Sequence, residues 1–212
     1  MLENIYADYQ KSLLQGSSRK CFQTIQHLLD EGWPILRIYE DWFTPSLKEV
    51  GEMWEHNKIS VAVEHLATAT TEHMMNMLGP HIFTADLNGK KALVSCTENE
   101  LHQIGARMVA DIFTLHGWDA LFLGANTPKR DLIDMVESHQ PSVVALSFNI
   151  FFNASTFLST LDELLESDKP LDIIVGGQAL KGGSQNMLHD RPSVVHMKSI
   201  GALQEYLESQ AS

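Results

Sequence analysis

Two patterns of apolar and polar positions divide this 212-residue chain. Residues 1–80 read as helical throughout. The stretch ADYQKSLLQGSSRKCFQTIQHLLDEGW breaks at Gly16-Ser17-Ser18, which predicts two helices with a cap signal between them. Pro34 opens a further helical run that Pro45 interrupts or kinks, because a prolyl ring removes an N–H and crowds the preceding turn. Ser60 is placed to cap VAVEHLATATTEHMMNML, and Gly79-Pro80 is the expected stop. Short loops between four or five such elements predict a four-helix bundle.

After a linker at 81–90 the period changes. Short β-rich runs (KALVS, ALFLG, SVVALSF, LDIIVGG, SVVHM) alternate with helical segments at 102–116, 128–139, 156–167, 178–189 and 199–209. Five strands alternating with about five helices predict a parallel sheet covered on both faces, in a flavodoxin-like doubly wound domain over 91–212. Thr127-Pro128 is expected to start one helix with proline at its first position, and Gly117 to end another. The predicted fold class is therefore α/β: an N-terminal four-helix bundle followed by a five-stranded Rossmann-like domain.

In such sheets ligands bind beyond the carboxyl ends of the strands, near the reversal of strand order. Glu100 and His102 follow the first predicted strand, Ser147 lies in the third and Gly176-Gly177 end the fourth, so all fall on one edge. An isolated E-x-H-x-x-G, here Glu100, His102 and Gly105, occurs often by chance. Its position beside the other features is what gives it meaning. A histidine in that loop can ligate a metal through one ring nitrogen while Glu100 fixes the other. Gly105 removes a side chain where the next helix would approach a bulky ligand. No second cluster of metal-binding residues surrounds His102, so a single ligand histidine suits a cofactor that brings its own remaining ligands, as a macrocycle does.

Composition narrows the function classes. An apolar content of 44% and a charged content of 20% describe an ordinary globular protein. No apolar run reaches eighteen residues and the N-terminus lacks signal-peptide layout, so no membrane association is expected and the cytoplasm is the expected location. Cys21 and Cys96 read as reduced thiols. A net charge of -12 opposes direct nucleic-acid binding.

From ALVS through LHQIGARMVADIFTLHGWDALFLGANTP, over roughly residues 90–210, the chain resembles the cobalamin-binding domain. That family's pattern is D-x-H-x-x-G, then S-x-L, then G-G. Here these read Glu100-Leu101-His102-Gln103-Ile104-Gly105, Ser147-Phe148-Asn149 and Gly176-Gly177, with glutamate in place of aspartate and Asn149 in place of leucine. The resemblance implies that His102 is the lower axial cobalt ligand, replacing the cofactor's dimethylbenzimidazole, and that Ser147 and the two glycines line the slot for the nucleotide tail.

In the helical half, Trp54 is followed after nine residues by Glu64-His65. On an ordinary helix pair these would be a core filler and two unremarked helical residues. The W-x9-E-H pattern, however, resembles the cap bundle of cobalamin-dependent photoreceptors and their light-responsive regulator relatives. The resemblance implies adenosylcobalamin as cofactor, with methylcobalamin compatible, and Trp54 against the upper adenosyl group beside Glu64 and His65. In the light-dependent repressors a histidine directly follows the tryptophan. Glu55 stands there in this chain, leaving His56 or His65 as substitutes. Those repressors also carry an N-terminal helix-turn-helix domain, absent from this sequence. The expectation is a stand-alone, non-enzymatic sensor that acts on a protein partner such as a transcriptional regulator, with a light-dependent homo-oligomer compatible. The alternatives are a corrinoid methyl carrier serving separate methyltransferases, whose helical caps usually lack this pattern, and a module sensing cofactor level.

Overall fold

A computed structural model describes residues 2–167, 170–182 and 184–210. The chain forms two compact units, Met1–Phe83 and Thr84–Ser212. The first is all helical: α1 (Leu2–Leu14), α2 (Ser18–Asp30), a run α3 (Ile35–Ile38), π turn (Tyr39–Phe43) and α4 (Thr44–Glu55), and α5 (Val61–Ile82). Four helical rods result among the described residues, as expected for the bundle.

Helix α5 organises this unit, packing against α1, α2, α3 and α4. Ala67, Thr70, Thr71, Met74, Met75, Leu78 and Ile82 are all buried and recur every three or four residues, which places them on one stripe. Each buried methionine or leucine there contributes about 1.5–3 kcal/mol of burial. Ser60 caps α5, its side chain accepting from the Val63 N–H. The expected stop at Gly79-Pro80 is corrected: α5 continues to Ile82, with Pro80 inside it. A proline in the last turn removes one hydrogen bond where the helix is ending anyway, and the Phe83 N–H still reaches the Gly79 carbonyl.

Pro45 does interrupt the α pattern, but through a π turn rather than a gap. Widening the preceding turn relieves the clash between the prolyl ring and the carbonyl four residues back. Trp42 in that turn is surrounded by the rings of Tyr6, Tyr9 and Trp33, with centroids 5.7, 5.7 and 6.1 Å away.

The second unit alternates strands and helices: β1 (Lys91–Cys96), α6 (Ile104–Leu115), β2 (Asp119–Gly124), α7 (Lys129–His139), β3 (Val143–Ser147), α8 (Ala154–Leu165), β4 (Asp172–Gly176), β5 (Val194–His196) and α9 (Ile200–Gln210). The strands are parallel in the order β2-β1-β3-β4-β5, the flavodoxin-like order expected. Because both faces are covered, strand residues are apolar in runs. Leu93, Val144, Leu146, Ile173 and Val175 point to the core under α7 and α8, and the intervening positions face α6 and α9.

Gly117 ends α6 as expected. At φ +76° it lets the Trp118 N–H bond the Phe113 carbonyl and its own N–H bond that of Thr114. Pro128 stands one place earlier than expected, as the cap of α7. The expected helix at 178–189 is also corrected: its described residues form two 3-10 turns, Gln178–Leu180 and Ser184–Leu188, and Gly183 lies outside the described residues. Gly182, at φ +66°, breaks the helical path between them. No described helix is long and apolar enough to cross a membrane.

Both cysteines are fully buried. Burial pushes the Cys21 thiol up to about 11 and the Cys96 thiol up to about 12, the nearby Glu100 charge adding to the latter. Since the thiolate is the reactive species, the native protein should resist an aromatic disulfide reagent at neutral pH and react at both positions once unfolded. Absorbance of the released thiol measures this.

Candidate functional site

The site is built at the point where strand order reverses, between β1 and β3. Strand register fixes it: Cys96 pairs with Ser147, and Ser147 with Gly176, so the ends of three strands form one row. The loops after these strands carry the residues that the sequence singled out. Glu100, His102, Gly105, Ser147, Gly176 and Gly177 are thus brought to one edge of the second unit.

Glu100 is the hub. It is fully buried, yet its carboxylate accepts four N–H groups. On Oε1 these are the His102 backbone N–H at 3.0 Å and the His102 ring Nδ1 at 2.6 Å. On Oε2 they are the backbone N–H groups of Asn149 at 2.7 Å and Ile150 at 2.9 Å. Burial raises the carboxyl pKa, but hydrogen bonds from the His102 ring and from backbone amides outweigh it, and Glu100 sits below its ordinary value. The charge therefore persists in the interior because donors converge on it.

His102 reads the consequence. An ionised Glu100 makes Nδ1 the protonated nitrogen, so Nε2 carries the lone pair. The side chain is 60% exposed while its anchor is wholly buried. A largely exposed ring held through Nδ1, with its other nitrogen accepting, is the arrangement of a metal-binding imidazole.

The loop is locked from other sides as well. Asn126, at φ +52° beyond β2, donates its backbone N–H to the Glu100 carbonyl, and its Oδ1 accepts from Asn99. The Ser95 hydroxyl donates to Thr127 Oγ1 at 2.8 Å. Asn149 donates through Nδ2 to Ser147 Oγ at 2.9 Å and to the His102 carbonyl at 3.3 Å, while its Oδ1 accepts from the Gln178 N–H at 3.1 Å. The sequence marked Asn149 only as a departure from S-x-L and did not single out Asn126. The Asn-Thr-Pro after a strand is a turn signal that points to Asn126. The role of Asn149 depends on loops some thirty and fifty residues away and leaves no local signal.

Gly177 adopts φ +123°, ψ +168°, a region essentially confined to glycine, and a Cβ there would collide with the Phe148 carbonyl. Gly177→Ala is expected to destabilise the protein by about 3 kcal/mol or more, seen as a lowered thermal midpoint. Gly176 is less constrained, its Cβ position lying 3.3 Å from the Met197 carbonyl.

Three observations test whether these residues suit a corrinoid. A Cβ on Gly105 would meet no protein atom within 4 Å, so packing does not require a glycine there and the start of α6 has room for a bulky group. Thr97 Oγ1, beside the row of strand ends, is buried without a hydrogen-bond partner among the described residues. Among those residues no group of three or more His, Cys, Asp or Glu could hold a bare ion. One outward histidine, a polar atom awaiting a partner and an open helix start fit a macrocycle that supplies the other metal ligands itself.

In the first unit Trp54 lies in the last turn of α4 and Glu64-His65 in the first two turns of α5. Trp54 is 47% exposed, which excludes it as core filler. Glu64 accepts from Thr68 Oγ1 at 2.9 Å and stands 3.6 Å from His65 Nε2. His56 donates Nδ1 to the Glu52 carbonyl at 2.7 Å, which leaves its Nε2 as an acceptor.

Two sequence profiles, both described as B12 binding domain, match residues 5–78 and 90–201. The chain is 30% identical to the HTH-type transcriptional repressor CarA of Myxococcus xanthus over 156 residues, 72% of this chain. It spans about half of that repressor, 52% of its length. It is 24% identical to monomethylamine corrinoid protein 2 of Methanosarcina acetivorans over 67% of each chain. Its fold matches the monomethylamine corrinoid protein of Methanosarcina barkeri with a TM-score of 0.83, at 16% identity, over 99% of this chain and 100% of that one. With a profile covering more than half its length and a sheet edge shaped for a corrinoid, this chain belongs to the B12-binding domain family.

Proposed function

We propose that this chain is an adenosylcobalamin-dependent light sensor, not an enzyme, that regulates transcription through a protein partner. The observation that carries the reading is Trp54, a large aromatic left half in water at the end of α4 and followed by the Glu64–His65 pair at the start of α5. Such a side chain is surface that an apolar ligand group would bury. The sequence similarity to a transcriptional repressor supports the same reading.

When bound, adenosylcobalamin supplies a light-labile cobalt–carbon bond, and the protein supplies binding and orientation. Here His102 would ligate the metal through Nε2, with Glu100 fixing the ring and strengthening its basicity as a buried anion. Ser147, Gly176 and Gly177 would accommodate the nucleotide tail, and Gly105 would leave room for the bulky ligand at the start of α6. A net charge of -12 directs the output to a protein rather than to DNA.

Green illumination of the protein loaded with adenosylcobalamin, followed by absorption spectroscopy and size-exclusion chromatography, tests the proposal. A spectrum distinct from photolysed free cofactor, together with a change in size, is expected. Photolysis identical to that of free cofactor with no change in size would sink it. The full-length fold likeness to a corrinoid protein favours a second reading, a methyl carrier. That reading predicts transfer from the methylcobalamin-loaded protein to a thiol once a methyltransferase is supplied.

A further inference from the structure

Four aromatic side chains of the first unit meet at Trp42. That ring is buried, and its centroid lies 5.7 Å from Tyr6, 5.7 Å from Tyr9 and 6.1 Å from Trp33, separations at which rings are in contact. Trp33, between α2 and α3, and Tyr6, on α1, are both partly exposed. The set therefore runs from solvent at Trp33 through the core and out again at Tyr6. Indole and phenol rings give up one electron to a strong oxidant, and rings in contact pass the resulting hole on rapidly.

The two phenols differ in where their protons can go. A phenol that loses an electron becomes a strong acid, so the hole settles only where a base takes the proton. Tyr6 Oη donates to Glu49 Oε1 at 3.0 Å, since a carboxylate can only accept, and itself accepts from Ser46 Oγ at 3.3 Å. Burial and the Glu49 carboxylate push the Tyr6 phenol up to about 12, so the proton stays on it before oxidation. Tyr9 Oη is buried without a hydrogen-bond partner among the described residues. The Thr71 hydroxyl influences it, but gives its proton to the Ala67 carbonyl and is too weak a base to take another.

We propose that the first unit carries a one-electron donor site for radical oxidants, in which Trp33 and Trp42 relay the hole, Tyr6 is the terminal donor and Glu49 accepts its proton. One electron passes from Trp33 to the oxidant, one from Trp42 to Trp33 and one from Tyr6 to Trp42, while the Tyr6 proton moves to Glu49. Both indoles return to their starting state. The products are the reduced oxidant, a phenoxyl radical at Tyr6 and a protonated Glu49. All of these contacts lie within the first unit, so the inference stands apart from the cobalamin reading.

Pulse radiolysis in azide solution generates the azide radical, which oxidises indoles preferentially. The full chain is used with Trp54→Phe, because Trp54 is the other indole open to solvent while Trp42 and Trp118 are buried. The indolyl absorption is expected to decay as a delayed phenoxyl absorption rises, at a rate independent of protein concentration. Trp33→Phe and Tyr6→Phe should each abolish that delayed rise, and Tyr9→Phe should leave it unchanged. Glu49→Gln should slow it and make its rate increase with buffer base, because the proton must then leave for solvent, a response that a role in packing alone would not produce. Circular dichroism checks that each variant is folded, and Tyr6→Phe and Glu49→Gln alter partly exposed side chains only. The proposal is overturned by a delayed rise that survives Tyr6→Phe or Trp33→Phe, or is lost in Tyr9→Phe. An unchanged rate in Glu49→Gln, or indolyl decay with no phenoxyl rise, would overturn it equally.

Discussion

Alanine in place of His102 is expected to weaken cobalamin binding by at least about 100-fold, since partners of a metal ligand alone account for about 10- to 100-fold. The chemistry is local. Glu100 holds Nδ1 of the largely exposed His102 ring and leaves Nε2 as the accepting nitrogen, and Gly105, Ser147, Gly176 and Gly177 offer no substitute ligand. The fold should tolerate the change. The ring is 60% exposed, and Glu100 Oε1 still accepts the backbone N–H of residue 102, so the loss in stability should be about 1 kcal/mol. Titration by absorption and a thermal melt separate the two effects. Unaltered affinity and spectrum in a folded His102→Ala protein would refute His102 as the cobalt ligand.

Glu100→Gln is expected to reverse that balance and strike stability first. All four partners of the carboxylate are N–H donors, two on each oxygen. A glutamine has one accepting and one donating end, so in either orientation its NH2 faces two donors. Leaving such buried groups unmatched costs about 1–3 kcal/mol each, which puts the loss at about 3–5 kcal/mol. Denaturant unfolding measures it, and a loss under about 1 kcal/mol would show that the 97–102 and 148–150 loops are held by other means. Acid should show the same linkage. The folded pKa of Glu100 is lowered, so its contribution is complete above the ordinary carboxylate value and is lost as pH falls through the lower folded value. The acid limb of the stability profile should therefore be shallower in Glu100→Gln.

The contrast between these two variants follows from where each residue makes its bonds. His102 and Glu100 are two positions apart, and their pairing was legible because an extended segment puts alternate side chains on one side. The second half of the Glu100 environment was not. Asn149 and Ile150 reach it from 49 and 50 residues away, through a pairing of β1 with β3 that only the folded sheet creates. In sequence, glutamate in place of the family's aspartate is a departure at one position, whereas in the folded chain its carboxylate bridges two loops.

Trp54 shows the same division. Its position before Glu64-His65 is a matter of sequence, but its exposure is a property of the bundle, whose stripe on α5 is filled by Met74, Met75, Leu78 and their neighbours without it. Pro80 and the 178–189 segment mark where local signals misled. A proline was tolerated in a last helical turn, and an apparent helix gave way to 3-10 turns where Gly182 takes a left-handed conformation.

By itself the sequence determined the two halves, the alternation of strands and helices, the flavodoxin-like order and the edge on which Glu100, His102, Ser147 and Gly176-Gly177 meet, because hydrophobic period and turn chemistry are local properties of the chain. The tertiary structure alone decided that Glu100 is a buried four-donor hub, that amides from the loop after β3 help keep it ionised, and that Asn149 donates to Ser147. Hydrogen-bond direction depends on which groups lie opposite one another, and only the paired strands bring those groups together.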